Sequence, residues 1–213
     1  MNPKNFKIEH LKEYCESGGS YEYYLQPKGP MPSSYLEFAR KDLSDEDLTR
    51  SWVNAVSNAK RALHLQVEQI CLVFGSEVLS KKSTRFPPKL DYLQKCGIVS
   101  PAILSKLNRI RNKVEHDYYF PTLEEAEDYV DIIELFIFAT KNLLDRFPSN
   151  ITFDLMEDEE YDVSLCLPKS IGVKIIIEKG GIEIDVGEGK REINIEDNDY
   201  FEWLSTVMYH YQL

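Results

Sequence analysis

The chain reads as an α+β protein, and three observations predict that class. Apolar residues recur at helical spacing from about residue 44 to about residue 147. After Pro148-Ser149-Asn150 the apolar period falls from roughly 3.6 residues to roughly 2, the change from helix to half-buried strand. Tyr200 to Tyr211 then returns to helical spacing, with Phe201, Leu204, Val207 and Met208 on one face. The predicted architecture is an antiparallel helical bundle followed by a small antiparallel sheet with a closing helix. It divides the chain into an aromatic-rich arm over 1–43, a bundle over 44–148 and an acidic, β-rich part over 151–213.

The arm carries Tyr14, Tyr21, Tyr23, Tyr24 and Tyr35 and is broken by Gly18-Gly19, Pro27, Pro30 and Pro32. So many aromatics are costly to leave in water, so short helices and an ordered arm lying on the body are expected. Ser44 with Asp47 three residues on reads as a capping-box-like start. From there Val53, Val56, Leu63, Val67, Ile70 and Phe74 run at helical spacing to Gly75. Pro87-Pro88 opens a short helix through Tyr92 and Leu93, stopped at Gly97. Ser100-Pro101 is an N-cap and first-turn pair for a helix of about 17 residues. Thr122 and Glu125 form another capping box, whose helix runs to about Arg146 before Pro148-Ser149-Asn150 breaks it. The expected strands are Ile151 to Leu155, Val163 to Leu167, Val173 to Ile177 and Ile182 to Val186. A tight turn at Gly180-Gly181 joins the last two, and Ile193 to Ile195 adds an edge.

Composition narrows the function classes. Of 213 residues 43% are apolar and 29% charged, the balance of a globular chain rather than a disordered one. No apolar run is longer than that from Leu135 to Ala139, far short of the roughly 20 residues of a membrane helix, so no membrane partner is expected. Residues 1–15 hold no apolar stretch that reads as a signal peptide. Cys15, Cys71, Cys96 and Cys166 form no C-x-x-C pair, which disfavours a zinc ribbon or dithiol site and fits a reducing cytoplasm. The net charge of −11 disfavours nucleic acid as a partner, but residues 150–213 carry −10 of it. The first part is nearly neutral, which leaves room there for a local basic site.

Such a site is written in the helix after Pro101. Ile103, Leu107, Ile110 and Val114 define its core face. Ser105, Arg109, Asn112 and His116 fall on the far side, and Arg111 lies on the flank. Asn112 and His116 are four residues apart and hence surface neighbours. The plainer reading is a solvated helix end, where Lys106, Arg109, Arg111, Lys113 and His116 complement the macrodipole. Two features favour a site. Between Glu77 and Asp117 the only acids are Asp91 and Glu115, so positive charge is concentrated locally. The next helix is also apolar on two sides: Val130, Ile133 and Ile137 on one, Ile132, Leu135, Phe138 and Ala139 on another. A helix of that kind must be covered twice, by its own bundle and by either the C-terminal sheet or a second subunit.

The run Arg111-Asn112-Lys113-Val114-Glu115-His116-Asp117-Tyr118 resembles the signature of HEPN domains, helical modules of prokaryotic toxins and antiviral ribonucleases. Their motif is Arg, a polar residue, a few variable positions and His. The variant with Tyr two residues after the His resembles the toxins encoded beside minimal nucleotidyltransferase antitoxins. The resemblance covers about residues 44–147 and the helical order around the motif. It implies an HEPN-like bundle and a metal-independent endoribonuclease with no cofactor, acting on RNA as a homodimer with a composite cleft. It assigns His116 as acid or base, Arg111 as phosphate anchor and Asn112 as the residue orienting His116 or a phosphate. Arg109, Lys113 and Tyr118 would contact substrate, and Tyr118 is also where such an antitoxin would attach nucleotides. An aromatic plug of Tyr118, Tyr119 and Phe120 closing the helix end is the structural alternative for that residue. The chain lacks the Gly-Ser and paired-Asp motif of a nucleotidyltransferase, so any such antitoxin is a separate protein. The competing class is a catalytically silent module binding RNA, nucleotide or a protein partner.

Other candidates weigh less. Glu157 to Glu160 reads as a solvated acidic loop. His10, His64 and His210 have no ligand-like companions one turn away. No G-x-S-x-G elbow and no Gly-rich phosphate loop occur. The acidic C-terminal part can also be imagined folding over the basic cleft and restraining it.

Overall fold

The computed structural model describes residues 1–24, 29–45, 48–79, 86–98, 106, 109, 120–156 and 163–212. In chain order these form β1 (Tyr14–Glu22), α1 (Pro32–Leu43), α2 (Leu48–Val73), α3 (Ser76–Leu79), α4 (Phe86–Lys95), α5 (Leu123–Thr140) and α6 (Asn142–Asp145). The rest are β2 (Phe147–Leu155), β3 (Ser170–Ile176), β4 (Gly181–Asp185), β5 (Lys190–Asn194) and α7 (Tyr200–Gln212), with 3-10 turns at Pro3–Asn5, Ile8–Glu13 and Val163–Leu165. The chain is α+β, with one five-stranded antiparallel sheet in the order β1-β2-β3-β4-β5.

The central element is α2. Ala55, Ala59, Ala62, Leu63, Val67 and Ile70 are fully enclosed, so this helix is wrapped rather than laid on a surface. α1 lies along it, tied by Asn58 Nδ2 donating to Asp42 Oδ2 at 2.8 Å. α5 packs on the same helix, where buried Gln66 Nε2 donates to Thr140 Oγ1 at 2.9 Å. Arg40 on α1 ties the two outer helices together through Asp131, at 2.6 Å, and Glu134.

The sheet turns one face inward. Ile151, Phe153, Ile171, Val173, Ile182, Ile184 and Ile193 are buried, alternating with polar residues that face water. α7 contributes Trp203, Leu204, Val207 and Met208 to the same core. Bundle and sheet share that core without a break. Phe74 and Phe147 meet edge to face at 5.2 Å, and Glu178 N–H donates to the Val73 carbonyl at 2.9 Å.

Several expected boundaries move, each for a local reason. The N-terminal arm supplies a strand: β1 pairs with β2 from Tyr14↔Leu155 to Glu22↔Phe147 and forms the sheet's edge. Ser44 caps the end of α1, its Oγ donating to the Lys41 carbonyl at 2.8 Å, while Asp47, its expected capping-box partner, lies outside the described residues. Pro148-Ser149-Asn150 is not a break but part of β2. Pro148 sits opposite Tyr21, beside the register shift between Ser20 and Tyr21, where an irregular ladder tolerates a residue with no N–H. The long helix ends at Thr140, whose hydroxyl bonds back to the Phe136 carbonyl at 2.8 Å, a contact that favours a bend. The expected strand at Val163 to Leu167 is a 3-10 turn, and Cys166 has φ 48°, left-handed geometry that interrupts an extended run.

Candidate functional site

The residues of the Arg-polar-His run, Arg111, Asn112, Lys113, His116 and Tyr118, lie outside the described residues. So does most of the helix expected after Pro101. Of the sequence-predicted set, Arg109 is described. It is helical and exposed, as is Lys106 three residues earlier, so the two share an outward face.

Downstream the flank is well defined. Phe120 is 68% exposed. Thr122 and Glu125 then form the reciprocal capping box: Glu125 N–H donates to Thr122 Oγ1 at 3.2 Å, and Thr122 N–H donates to Glu125 Oε2 at 3.0 Å. This satisfies two of the N–H groups a helix start leaves unpaired and fixes where α5 begins.

α5 buries one face only. Ala126, Tyr129, Val130, Ile133 and Phe136 are enclosed, whereas Leu135 is 69% exposed and Phe138 79% exposed. The C-terminal sheet does not cover this second face. The exposed side is acidic over the first turns, with Glu124, Glu127, Asp128 and Asp131, and apolar near its end. The two sides of α5 therefore differ in kind along their length.

A second feature went unread in the sequence. A cleft of about 640 Å³ runs along α2. Val53, Val56 and Leu65 of α2 are in its apolar lining, together with Tyr35 of α1 and Tyr129 of α5. Ser57, Lys60, Arg61 and His64 supply polar groups, with Glu68 at one end. Glu68 is engaged by Lys89 of α4 at 2.5 Å. Arg61 donates to Asn58 Oδ1 at 2.8 Å and has no ion pair among the described residues. The signal was present: Val53, Ser57, Lys60 and His64 follow a 4-, 3- and 4-residue spacing on one flank of α2. The apolar stripe beside them, Val56, Leu63, Val67 and Ile70, belongs to the core.

The described cysteines are unsuited to nucleophilic work where they are buried. Burial pushes the Cys71 thiol up to about 12 and raises that of Cys96 as well, so both stay protonated near neutrality. Among the described residues no group of three His, Cys, Asp or Glu side chains is placed to hold a metal ion. No helix among them is long and apolar enough to cross a membrane.

No protein-family model, curated protein or solved structure matches this chain. The functional reading rests on its own residues.

Proposed function

We propose that the chain is a metal-independent endoribonuclease of HEPN type, a toxin or phage-defence effector, cleaving RNA in a cleft shared by two copies. The observation that carries the reading is the run Arg111-Asn112-x-x-x-His116-x-Tyr118, set between the exposed cations Lys106 and Arg109 and the capped start of α5. The uncovered pair Leu135 and Phe138 supports the second copy: an apolar helix end open to water is stabilised by a partner.

The chemistry follows from the side chains. Cleavage without metal needs a base for the 2′-hydroxyl proton, an acid for the leaving oxygen and a cation at the phosphorus centre. Imidazole titrates near neutrality and serves either proton transfer, while guanidinium is permanently charged and its fork matches phosphate oxygens. One His116 cannot serve both transfers at once; two copies can. Arg111 anchors the phosphate and Asn112 orients the imidazole or the phosphate. Arg109, Lys113 and Tyr118 line the strand's path.

The test is incubation of purified protein with mixed RNA in EDTA. The wild-type chain is expected to cut, and His116→Ala and Arg111→Ala to keep the fold but lose roughly 100-fold or more in rate, the scale of a lost acid–base group. Full activity in either variant contradicts the assignment. Intact RNA held in a salt-sensitive complex would instead make the chain a silent binding module.

A further inference from the structure

The sheet has two edges, and the chain treats them differently. β5 is a closed edge. It is five residues long, and three of them, Lys190, Arg191 and Glu192, are charged. Asp197 Oδ2 accepts the Asn194 N–H at 2.7 Å, Arg191 pairs with Asp199 at 2.6 Å, and a Cβ on Gly189 would stand 3.1 Å from the Pro3 ring. Short length, charge and a covering segment are the usual means of keeping an edge from pairing.

β1 is an open edge. It is nine residues long, and every residue except Tyr14 and Gly18 is exposed. Among the described residues, no backbone N–H or carbonyl from Cys15 to Glu22 is bonded to anything but β2. Alternate backbone groups of such a strand point away from its one neighbour, so the outer side of β1 carries donors and acceptors that a second extended chain can satisfy. The middle, Ser17-Gly18-Gly19-Ser20, has no bulky or charged side chain to stand over an incoming backbone. The two register shifts bound this middle, and Gly18 to Ser20 keep one register against Thr152 to Asn150.

Charge names the occupant. β1 and β2 together hold three carboxylates, Glu16, Glu22 and Asp154, and no cation. Asp154 stands opposite Cys15, next to Glu16 in the ladder. Arg146, just before β2, stacks on the Tyr21 ring at 4.6 Å. Even with that guanidinium the strip is acidic, and it belongs to the part of the chain that carries −10. We infer that the outer edge of β1 docks a basic extended peptide segment of a partner protein, which adds a sixth strand and sets one Lys or Arg against Glu16 and another against Glu22. Backbone hydrogen bonds hold such a guest, and the cross-strand charge pairs select it. This goes beyond the proposed nuclease activity and does not depend on it.

The experiment is an NMR titration of the full-length protein at low salt, read at the amide signals of Ser17, Gly18, Gly19 and Ser20. The probes are the peptide Lys-Thr-Val-Thr-Val-Thr-Lys, its counterpart with Glu at both ends, and the Lys peptide N-methylated at alternate residues. The Lys peptide is expected to shift those signals saturably. The Glu peptide should bind roughly tenfold more weakly or worse, the scale of two cross-strand charge pairs turned repulsive. N-methylation should abolish binding, because it removes the guest's donors. The double variant Glu16→Lys/Glu22→Lys, changed only at exposed positions, should reverse the preference between the two charged peptides. The proposal is overturned if the Lys peptide does not saturate those signals, or if the N-methylated peptide binds as well. Equal affinity for the Lys and Glu peptides overturns the basic occupant. Shifts of the same signals with protein concentration alone would give the edge to a second copy and overturn it too. RNA cleavage is not read in this assay, so its outcome leaves the nuclease reading untouched.

Discussion

Gly75 ends α2 with φ +79°, and a Cβ there would stand 2.4 Å from the backbone nitrogen of Gly180. Both facts require glycine: the left-handed conformation, and the close approach of the bundle to the β3–β4 turn. Gly75→Ala is expected to cost about 1–3 kcal/mol, measured as a shift in the urea midpoint, because strain and a backbone clash add. An unchanged midpoint would mean that bundle and sheet do not meet there. Gly75 was legible as a helix stop; its contact with Gly180 was not, since nothing local links residues so far apart in sequence. His10 gives a pH prediction. Burial lowers its pKa below the usual imidazole value, and its Nδ1 accepts the Lys7 N–H at 3.1 Å, which only neutral imidazole can do. Its stabilisation is therefore full above the unfolded value near 6.5 and fades as pH falls through the lower folded value. The difference in denaturation midpoint between wild type and His10→Ala should shrink between pH 7 and pH 5. A gap that widened in acid would contradict that sign.

At the scale of elements, the capping box at Thr122 is the clearest case of sequence dictating structure. Thr122→Ala removes the hydroxyl that accepts Glu125 N–H and should cost about 1 kcal/mol, read by chemical denaturation. A cost near zero would show that tertiary packing alone sets the start of α5. Helix interiors and the β3 and β4 strands were legible because their apolar period is set by one buried face. β1 was not: its burial pattern has a single enclosed residue, Tyr14, so no alternation marks it. It exists because β2 offers a partner. Pro148 misled for a related reason, since a break signal is local and a tolerated position opposite a register shift is not. The cleft was hidden in the same way: Tyr35 and Tyr129 come to it from two other helices.

At the scale of the molecule, the three segments read from the sequence share one core. Ending the chain at Asn150 would sever β2 and remove Trp203, Leu204, Val207 and Met208 with α7. Such a chain is expected to show no cooperative thermal transition by circular dichroism; a sharp transition would refute the continuous core. Any electrostatic restraint by the acidic part is therefore better probed by charge substitutions than by truncation. The same scale holds the central claim, a catalytic groove shared between two copies. Leu135 and Phe138 are the exposed apolar side chains that a second copy would cover. The direct measurement is the initial rate of RNA cleavage in EDTA as a function of protein concentration, for the wild type and for Phe138→Lys. A shared groove predicts a rate that rises faster than linearly at low concentration, and a folded Phe138→Lys chain that is monomeric by sedimentation and inactive. Cleavage strictly proportional to protein concentration, undiminished in the monomeric variant, would contradict it.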